Sequence, residues 1–194
     1  MWVGCLNIVR CSMHFRSLPT VEHDSVYLRP LRASDMAAWA SYLNNPAVYE
    51  HTSWNYPTIE DLSGYLGNET SGEPDSRLRL AIASKDGDKL VGTIGFHSVA
   101  PVNKSAELAY DLNPEFWGKG IATAVGNVLV GWAHQHVGLV RVQATVLESN
   151  LRSIRTIERM GFAQEGLLKS YRHVRGTPCN FFMYARLAGS GNCT

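Results

Sequence analysis

The residues Phe116-Trp-Gly-Lys-Gly-Ile-Ala-Thr123 are the part of this 194-residue chain that points most directly to chemistry. A glycine turn before a helix leaves backbone N–H groups unpaired at the helix N-terminus, and such groups bind anions. Gly118 and Gly120 would let the backbone approach a ligand closely, and Lys119 adds a cation. The spacing predicts a site for a pyrophosphate-sized anion, although a plain glycine turn before a helix has the same pattern.

The turn differs from two well-known phosphate-binding loops. Lys119 is followed by Gly120 rather than by Ser or Thr, so the Walker A pattern is absent. The three spaced glycines of the Rossmann pattern are also absent. We therefore predict neither type of nucleotide loop here.

The elements around the turn follow from hydrophobic periodicity. Residues 106–112 alternate and predict a strand, with Leu108 on one face and Glu107 on the other. From Ile121, apolar residues recur at i, i+3, i+4, i+7, i+8 and i+11, which predicts an amphipathic helix. A strand, the turn and a helix are therefore expected to position the anion site.

The remaining periodicities predict the element order βααβββαβαββ. We expect Asn45-Pro46 to end the first helix, Thr58 to cap the second, and Gly161 to follow the last one. The predicted strands span 26–32, 78–83, 90–99, 106–112, 139–146, 162–175 and 181–187, and the helices begin near 36, 58, 121 and 150.

Composition indicates an ordinary globular chain without a strong charge bias. Hydrophobic residues make up 45%, and 18 Lys plus Arg against 17 Asp plus Glu leave a net charge of +1. Such a balance gives no field that would attract nucleic acid or an anionic membrane. No apolar run approaches the roughly 20 residues of a membrane span. Small-molecule or peptide chemistry is favoured, with no nucleic-acid and no membrane partner.

The length predicts one domain over residues 25–188, with an N-terminal extension at 1–24 and a C-terminal tail at 189–194. Either Met1 or Met13 could be the natural start. The cysteines show neither C-x-x-C pairs nor a nearby zinc-type histidine spacing, so we expect no metal site and reduced thiols in the cytoplasm. They are Cys5, Cys11, Cys179 and Cys193.

Three segments resemble the GNAT acyltransferases in the form found in their RimJ/RimL branch. The turn looks like that family's acyl-CoA loop, and the resemblance covers roughly residues 25 to 188 in consistent order. The matching segments are Phe116–Ala122, Val26–Arg32 with Asp35, and Asn150-Leu-Arg-Ser153 followed by Glu158-Arg-Met-Gly-Phe162 and Glu165-Gly166.

The resemblance implies an α/β (α+β) fold with a mixed, mostly antiparallel central sheet. Six to seven strands and about four flanking helices are expected. The sheet would be splayed between the strand that ends at Leu112 and the strand at 140–146, with acyl-CoA entering the splay. The co-substrate implied is acetyl-CoA or another acyl-CoA, bound by Tyr110, Leu112, Trp117, Gly118, Lys119, Gly120, Ile121, Ala122, Thr123, Asn150 and Ser153.

Acyl transfer to an amine needs a base, because a lysine with a pKa of about 10.4 is almost wholly protonated at neutral pH. The resemblance implies Glu107 as that base, although a glutamate on a strand is more often an exposed or ion-paired carboxylate. It also implies that Ser153 assists the leaving thiolate and that Asn150 bonds the pantetheine arm. Both residues could instead make only local helix-start bonds.

The chain departs from the family pattern at three positions. Glu115 replaces a common Gln or Arg, and Ile157 stands where many members have a tyrosine acid. Arg172 stands about where RimL-type enzymes have a glutamate. The RimL catalytic pair is therefore not intact. For the acceptor pocket, the resemblance implies Glu50, His51, Trp54, Tyr56, His97 and Tyr171. Each of them could instead be structural, because aromatic residues in loops often only close the edge of a core.

The sequence thus predicts an acyl-CoA-dependent N-acyltransferase that acts directly on a primary amine, with a peptide or protein N-terminus ranked first. Succinyl-CoA as donor, or an antibiotic, a polyamine or another small amine as acceptor, stays open. A catalytically degenerate CoA-binding module is the alternative of another class. A homodimer is possible.

Overall fold

The computed structural model describes residues 18–52, 56–67 and 77–189. Several expectations concern residues outside these ranges. These expectations concern the start at Met1 or Met13, most of the N-terminal extension and the tail from residue 190. They also concern the acceptor-pocket candidate Trp54 and the thiols of Cys5, Cys11 and Cys193.

Within the described residues, seven strands form one mixed sheet. They are β1 (Val26–Pro30), β2 (Leu78–Ser84), β3 (Leu90–Ala100), β4 (Ser105–Leu112), β5 (Arg141–Leu147), β6 (Ala163–Val174) and β7 (Thr177–Leu187). Their order across the sheet is β1-β2-β3-β4-β5-β7-β6. Among the strand pairs that the structure describes, only β4–β5 is parallel. The expectation of a mixed, mostly antiparallel sheet is confirmed.

Five α-helices accompany the sheet in the described part of the chain. They are α1 (Met36–Leu43), α2 (Pro46–Tyr49), α3 (Ile59–Ser63), α4 (Ile121–Trp132) and α5 (Leu151–Arg159). The first three lie between β1 and β2 in the chain, whereas α4 follows β4 and α5 follows β5. This order places the starts of α4 and α5 directly after the two strands that are parallel.

The short helix α2 corrects the predicted element order. The sequence predicted that Asn45-Pro46 would end the first helix, and α1 does end just before them at Leu43, but no helix was predicted to begin there. Instead, the Asn45 side chain accepts a hydrogen bond of 3.0 Å from the Ala47 N–H and caps a new helix. Proline at the first helical position needs no N–H partner, so Pro46 begins α2 rather than breaking it.

The apolar stripe predicted for residues 121–132 is buried in α4. Ile121, Val125, Leu129 and Trp132 are all less than one-tenth exposed and belong to the main hydrophobic core. Burying a large apolar side chain contributes roughly 1.5–3 kcal/mol. The stripe therefore fixes α4, and with it the preceding glycine turn, against the sheet. Among the described residues, no helix has the length and apolar content needed to cross a bilayer.

The splay of the sheet lies between β4 and β5. These strands pair only near their starts, where residues 105–107 face residues 141–143. Beyond this short ladder, residues 108–112 of β4 have no partner in β5. The C-terminal parts of the two strands therefore separate from each other and open the sheet. The family resemblance implied this splay.

Candidate active site

Two cavities lie where β4 and β5 diverge. The loop cavity, of about 520 Å³, is lined by the glycine turn, the start of α4 and one face of α5. The strand cavity, of about 660 Å³, is lined mainly by residues of β2 to β6. Both cavities share the lining residues His51, Thr52, Tyr110, Asp111, Asn150 and Ser153. Because they share these residues, the two cavities adjoin each other at the splay.

The glycine turn has the geometry of an anion site. Gly118 and Gly120 both have φ of +75°, in the left-handed region that favours glycine. Ala124 donates the first backbone bond of α4, to the Gly120 carbonyl over 3.0 Å. The N–H groups of residues 121–123 therefore precede the helix's own hydrogen bonds and are available to a ligand.

Three arginines on α5 add positive charge to the loop cavity. Arg152, Arg155 and Arg159 line it, because their i, i+3, i+7 spacing places them on one helical face. The Arg152 guanidinium also lies 3.7 Å from the centre of the Trp117 ring. Sequence reasoning missed these residues, although their spacing was the available signal.

The residues predicted to bind the co-substrate line the loop cavity, with one exception. Lys119 is not among the lining residues, and its ammonium lies 5.0 Å from the centre of the Phe116 ring. The anion site consequently takes its charge from backbone N–H groups and from α5. The residues that do line it are Tyr110, Leu112, Trp117, Gly118, Gly120, Ile121, Ala122, Thr123, Asn150 and Ser153.

Two hydroxyl groups meet between the cavities. The Tyr110 hydroxyl lies 2.9 Å from Ser153 Oγ. Burial raises the pKa of Tyr110 to about 12, so this phenol is a neutral hydrogen-bonding group at neutral pH. Ile157, which stands where the family pattern often has a tyrosine, is fully buried in the strand cavity wall. Tyr110 thus brings a phenol close to Ser153 from β4 instead of from α5.

Asn150 joins the start of α5 to the chain after α2. Its Oδ1 accepts from the Ser153 N–H over 3.0 Å, which caps α5. Its Nδ2 donates to the His51 carbonyl over 3.2 Å. The local helix-capping role foreseen from the sequence therefore exists, and the same side chain also fixes a wall of both cavities.

Glu107 is buried in the strand cavity, with 4% of its surface exposed. Its Oε1 accepts hydrogen bonds from Thr145 Oγ1 over 2.6 Å and from Arg172 Nη2 over 3.1 Å. The sequence left open an exposed or an ion-paired carboxylate. The ion-paired alternative describes Glu107, because Arg172 on β6 pairs with it, while Thr145 on β5 adds a neutral hydrogen bond.

His97 lies beside Glu107 on the neighbouring strand. The two residues are paired in the β3–β4 ladder, and His97 Nε2 lies 3.7 Å from Glu107 Oε1. Its Nδ1 lies 3.1 Å from Ser98 Oγ. Burial lowers the pKa of His97 below its ordinary value, and nearby arginines act in the same direction while Glu107 opposes them. The imidazole is therefore neutral at neutral pH.

A second buried carboxylate, Asp111, serves a network that ties four elements together. Asp111 accepts from Thr93 on β3 over 2.9 Å and also from Arg79 on β2 and Tyr42 on α1. Arg79 also donates to Thr93 over 2.8 Å. Burial, followed by the Asp111 charge, raises the pKa of Tyr42 well above its ordinary value. Arg79 thus balances the charge of Asp111 within the shared wall of the cavities.

The residues predicted for the acceptor pocket occupy different places. His97 lines the strand cavity and His51 lines both cavities.

The other described candidates lie outside both cavities. The Glu50 side chain is 74% exposed. Tyr56 is 61% exposed, and its ring stacks on that of Tyr49 with 3.9 Å between the ring centres. Tyr171, 41% exposed, packs edge-on against Phe181. Glu50, Tyr56 and Tyr171 are not among the residues that line either cavity.

Arg175 holds the chain after α2 against the β6–β7 turn. Its guanidinium donates to the carbonyls of Tyr49, Glu50 and Thr52 over 2.9 to 3.2 Å. These three hydrogen bonds position His51 and Thr52, which line both cavities. No pattern in the sequence indicated this role. Within the described ranges, no cluster of three or more metal-ligating side chains occurs.

Comparison with known proteins gives consistent matches over most of the chain. Residues 25–163 match the family described as the acetyltransferase (GNAT) domain. The chain is 31% identical, over 86% of its length and 96% of the relative's, to the uncharacterized N-acetyltransferase YoaA of Bacillus subtilis. It is 25% identical to the spermidine N(1)-acetyltransferase of Escherichia coli, over 78% of this chain and 80% of that relative.

Solved structures show the same fold. Mycobacterium smegmatis RimJ, in complex with CoA-disulfide, matches with a TM-score of 0.71 and 25% identity, over 88% of this chain and 90% of that one. The ribosomal-protein-S5-alanine acetyltransferase of Vibrio fischeri matches with a TM-score of 0.75 and 20% identity, over 90% and 99% of the two chains.

Proposed function

The chain belongs to the GNAT acetyltransferase family, and on that basis we propose that it transfers an acetyl group from acetyl-CoA directly to a primary amine, with a peptide or protein N-terminus as the preferred acceptor. Acetyl-CoA supplies the thioester that the amine attacks. No covalent enzyme intermediate is needed, because the amine and the thioester meet in the splay.

The observation that carries this proposal is the meeting of two cavities with different chemistry. The loop cavity offers free helix-start N–H groups and the three arginines of α5, which suit the phosphates of CoA. The strand cavity offers Glu107 and His97, which suit an ammonium group. The shared wall at Tyr110 and Ser153 is where a thioester and an amine could come together.

Two side chains have roles on opposite sides of the reacting centre. Ser153 Oγ, on the first turn of α5, donates a proton or a hydrogen bond to the leaving sulfur. Glu107 lies on the acceptor side and attracts the ammonium form of the amine. Asn150 and Tyr110 orient Ser153 through the bonds of 3.0 and 2.9 Å that they make to it.

The charge of the strand cavity favours a monocationic acceptor over a polyamine. Glu107 and Asp111 are the acidic residues among the described residues that line this cavity. Each is already paired with an arginine, Arg172 and Arg79 respectively. A polyamine needs several free carboxylates, whereas an amine with one charge needs only one. Among such amines, the α-amine of a peptide has a pKa of about 8 against about 10.4 for the lysine side chain, so it loses its proton more readily. Peptide N-termini therefore rank first, small amines second and polyamines last.

The test is release of free CoA thiol from acetyl-CoA over three matched acceptors. These are a short peptide with a free N-terminus, its N-blocked twin that contains lysine, and spermidine. We expect the free N-terminus to react fastest. Clear preference for spermidine would overturn the ranking, and faster release from succinyl-CoA would change the donor. Tight CoA binding without thiol release from any amine would make the chain a CoA-binding module instead.

A further inference from the structure

We infer that His97 Nε2, and not the Glu107 carboxylate, takes the proton from the acceptor ammonium, while Glu107 binds that ammonium. This inference rests on the proposed function and divides the acceptor side of the site between two residues. In the sequence, His97 stood out only as a candidate for contact with the acceptor. The assignment comes from the geometry of four side chains around the strand cavity.

The first observation is a gap between two acceptor atoms. His97 Nε2 and Glu107 Oε1 lie 3.7 Å apart, which is too far for a direct hydrogen bond. One donor nitrogen can therefore lie about 2.9 Å from both atoms at once, which is an ordinary hydrogen-bond distance. Both residues line the strand cavity, so an ammonium group that enters the cavity can bridge them.

The second observation is the partner of the other imidazole nitrogen. Nδ1 lies 3.1 Å from Ser98 Oγ, which can accept a hydrogen bond from an Nδ1–H group. In that tautomer Nε2 carries the free lone pair and faces the carboxylate across the gap. Two facing acceptors without a donor between them repel each other, and a bound ammonium relieves that repulsion.

The third observation is the backbone that aims His97. The β3–β4 register shifts between His97 and Ala100, and Ser98 has φ of +50°, a strained value for a residue with a side chain. Bulges of this kind occur near active sites, where they redirect side chains. The bulge at Ser98 sets both the partner of Nδ1 and the direction of Nε2.

The fourth observation is how the surroundings differ for the two candidate bases. Glu107 Oε1 already accepts from Thr145 and from the Arg172 guanidinium, so these two donors occupy acceptor positions that a transferred proton would need. His97 is neutral, because burial lowers its pKa. The charged groups facing the imidazole are Glu107 on β4, Arg172 on β6, Arg79 on β2 and Arg77 just before β2.

The proton balance is complete without any further reactant. One ammonium proton moves to Nε2, and the neutral amine forms the N–C bond to the thioester carbon. The C–S bond then breaks, and the second proton lost by nitrogen reaches the thiolate sulfur by way of Ser153. The imidazolium returns its proton to water, since one-third of the His97 side chain is exposed.

The experiment begins with the wild-type protein. The ring-proton NMR signals of His97, assigned by their loss in His97→Gln, are titrated with pH in the free protein. The fall of kcat/KM at low pH, which is the acid limb of the pH–rate profile, is measured with the fastest of the three acceptors named above. Because protonated His97 cannot accept a proton, activity should fall as pH falls through the His97 pKa. The two midpoints should coincide, below the ordinary histidine value of about 6.5.

Three variants separate the two candidate bases. His97→Gln should lower kcat at pH 7 by roughly 10²–10⁴-fold and abolish the acid limb, with acetyl-CoA affinity unchanged. Glu107→Gln should raise the acceptor KM and keep the limb, moved to lower pH because the carboxylate raises the His97 pKa. His136→Gln, an exposed histidine after α4, is the matched control and should change neither quantity.

The opposite pattern would overturn the inference. If Glu107→Gln abolishes the acid limb while His97→Gln keeps it, Glu107 is the base. Wild-type midpoints that disagree between NMR and kinetics would also overturn it, and a wild-type pH–rate profile without an acid limb would overturn it even if His97→Gln failed to fold. A wild type that releases no thiol with any amine would instead overturn the proposed function, which separates the two failures.

Discussion

Arg172 on β6 donates a hydrogen bond of 3.1 Å to Glu107 on β4, across a sequence separation of 65 residues. In the sequence Arg172 was a departure from the RimL pattern, at about the place of a glutamate. In the structure it holds Glu107 with a cation and also faces His97. The arginine at this position therefore changes the charge of the strand cavity, which we propose as the acceptor side.

Arg172→Gln should move the acid limb of the pH–rate profile to higher pH. The Arg172 cation lowers the His97 pKa, so its removal raises that pKa, and protonation then disables the imidazole at a higher pH. Activity near pH 6 should fall more than activity near pH 8. Lys169→Gln, an exposed change of the same charge on β6, is the control. A limb that stays in place would contradict the coupling of Arg172 to His97.

Gly118→Asp and Gly120→Glu should weaken CoA binding by about tenfold or more, the equivalent of at least about 1.4 kcal/mol. Each change places a negative charge at the anion site and a side chain at a φ of +75°. Gly131→Glu adds the same charge to α4 where the space is open, and it should bind CoA normally. Calorimetry with CoA on the folded variants is the measurement. Unchanged affinity in both loop variants would remove the turn from the site.

Arg155→Glu should weaken CoA binding and reduce its dependence on salt. Arg155 lies between Arg152 and Arg159 on the cavity face of α5, where it can reach a phosphate. Lys85→Glu makes the same charge change at the β2–β3 turn and serves as the control. Titrations at low and high ionic strength give the comparison. Equal effects of the two variants would indicate a general charge effect rather than a phosphate contact.

Ser153→Ala and Tyr110→Phe should each lower kcat, and their effects should not add. Tyr110 acts through its bond of 2.9 Å to Ser153 Oγ, so the phenol has little to do once Ser153 is absent. A loss of roughly tenfold for Tyr110→Phe corresponds to about 1.4 kcal/mol, within the range of one hydrogen bond. A double-mutant cycle on kcat measures the coupling. Additive losses would show that the two hydroxyls act separately.

Arg79→Met should destabilise the fold by about 3–5 kcal/mol, because it leaves the buried Asp111 carboxylate without its cation. Arg79 and Asp111 are only 9% and 8% exposed. The double variant Arg79→Met/Asp111→Leu should lose less than the sum of the single losses, since it removes both charges. Urea unfolding followed by tryptophan fluorescence measures the difference. A single-variant loss below about 1 kcal/mol would be typical of an exposed pair and would contradict this assignment.

Local patterns in the sequence determined much of the fold and one side of the site. The apolar stripe of α4 predicts its buried face, because helical periodicity requires only neighbouring residues. The two glycines before it predict the anion site, because unpaired N–H groups follow from any helix start. The family motifs then predicted the splay and a set of co-substrate residues, all of which line the loop cavity except Lys119.

The acceptor side was decided by tertiary structure. Glu107, His97 and Arg172 lie on three strands, and no spacing along the chain predicts that their side chains meet within 3.1 to 3.7 Å. Arg175 and the carbonyls after α2 likewise meet only when the β6–β7 turn folds back over the splay. Short-range periodicity reports which face of an element is buried, whereas contacts between distant strands depend on register and on the divergence of β4 from β5. The charge of the strand cavity and the proposed proton acceptor therefore depend on the assembled sheet.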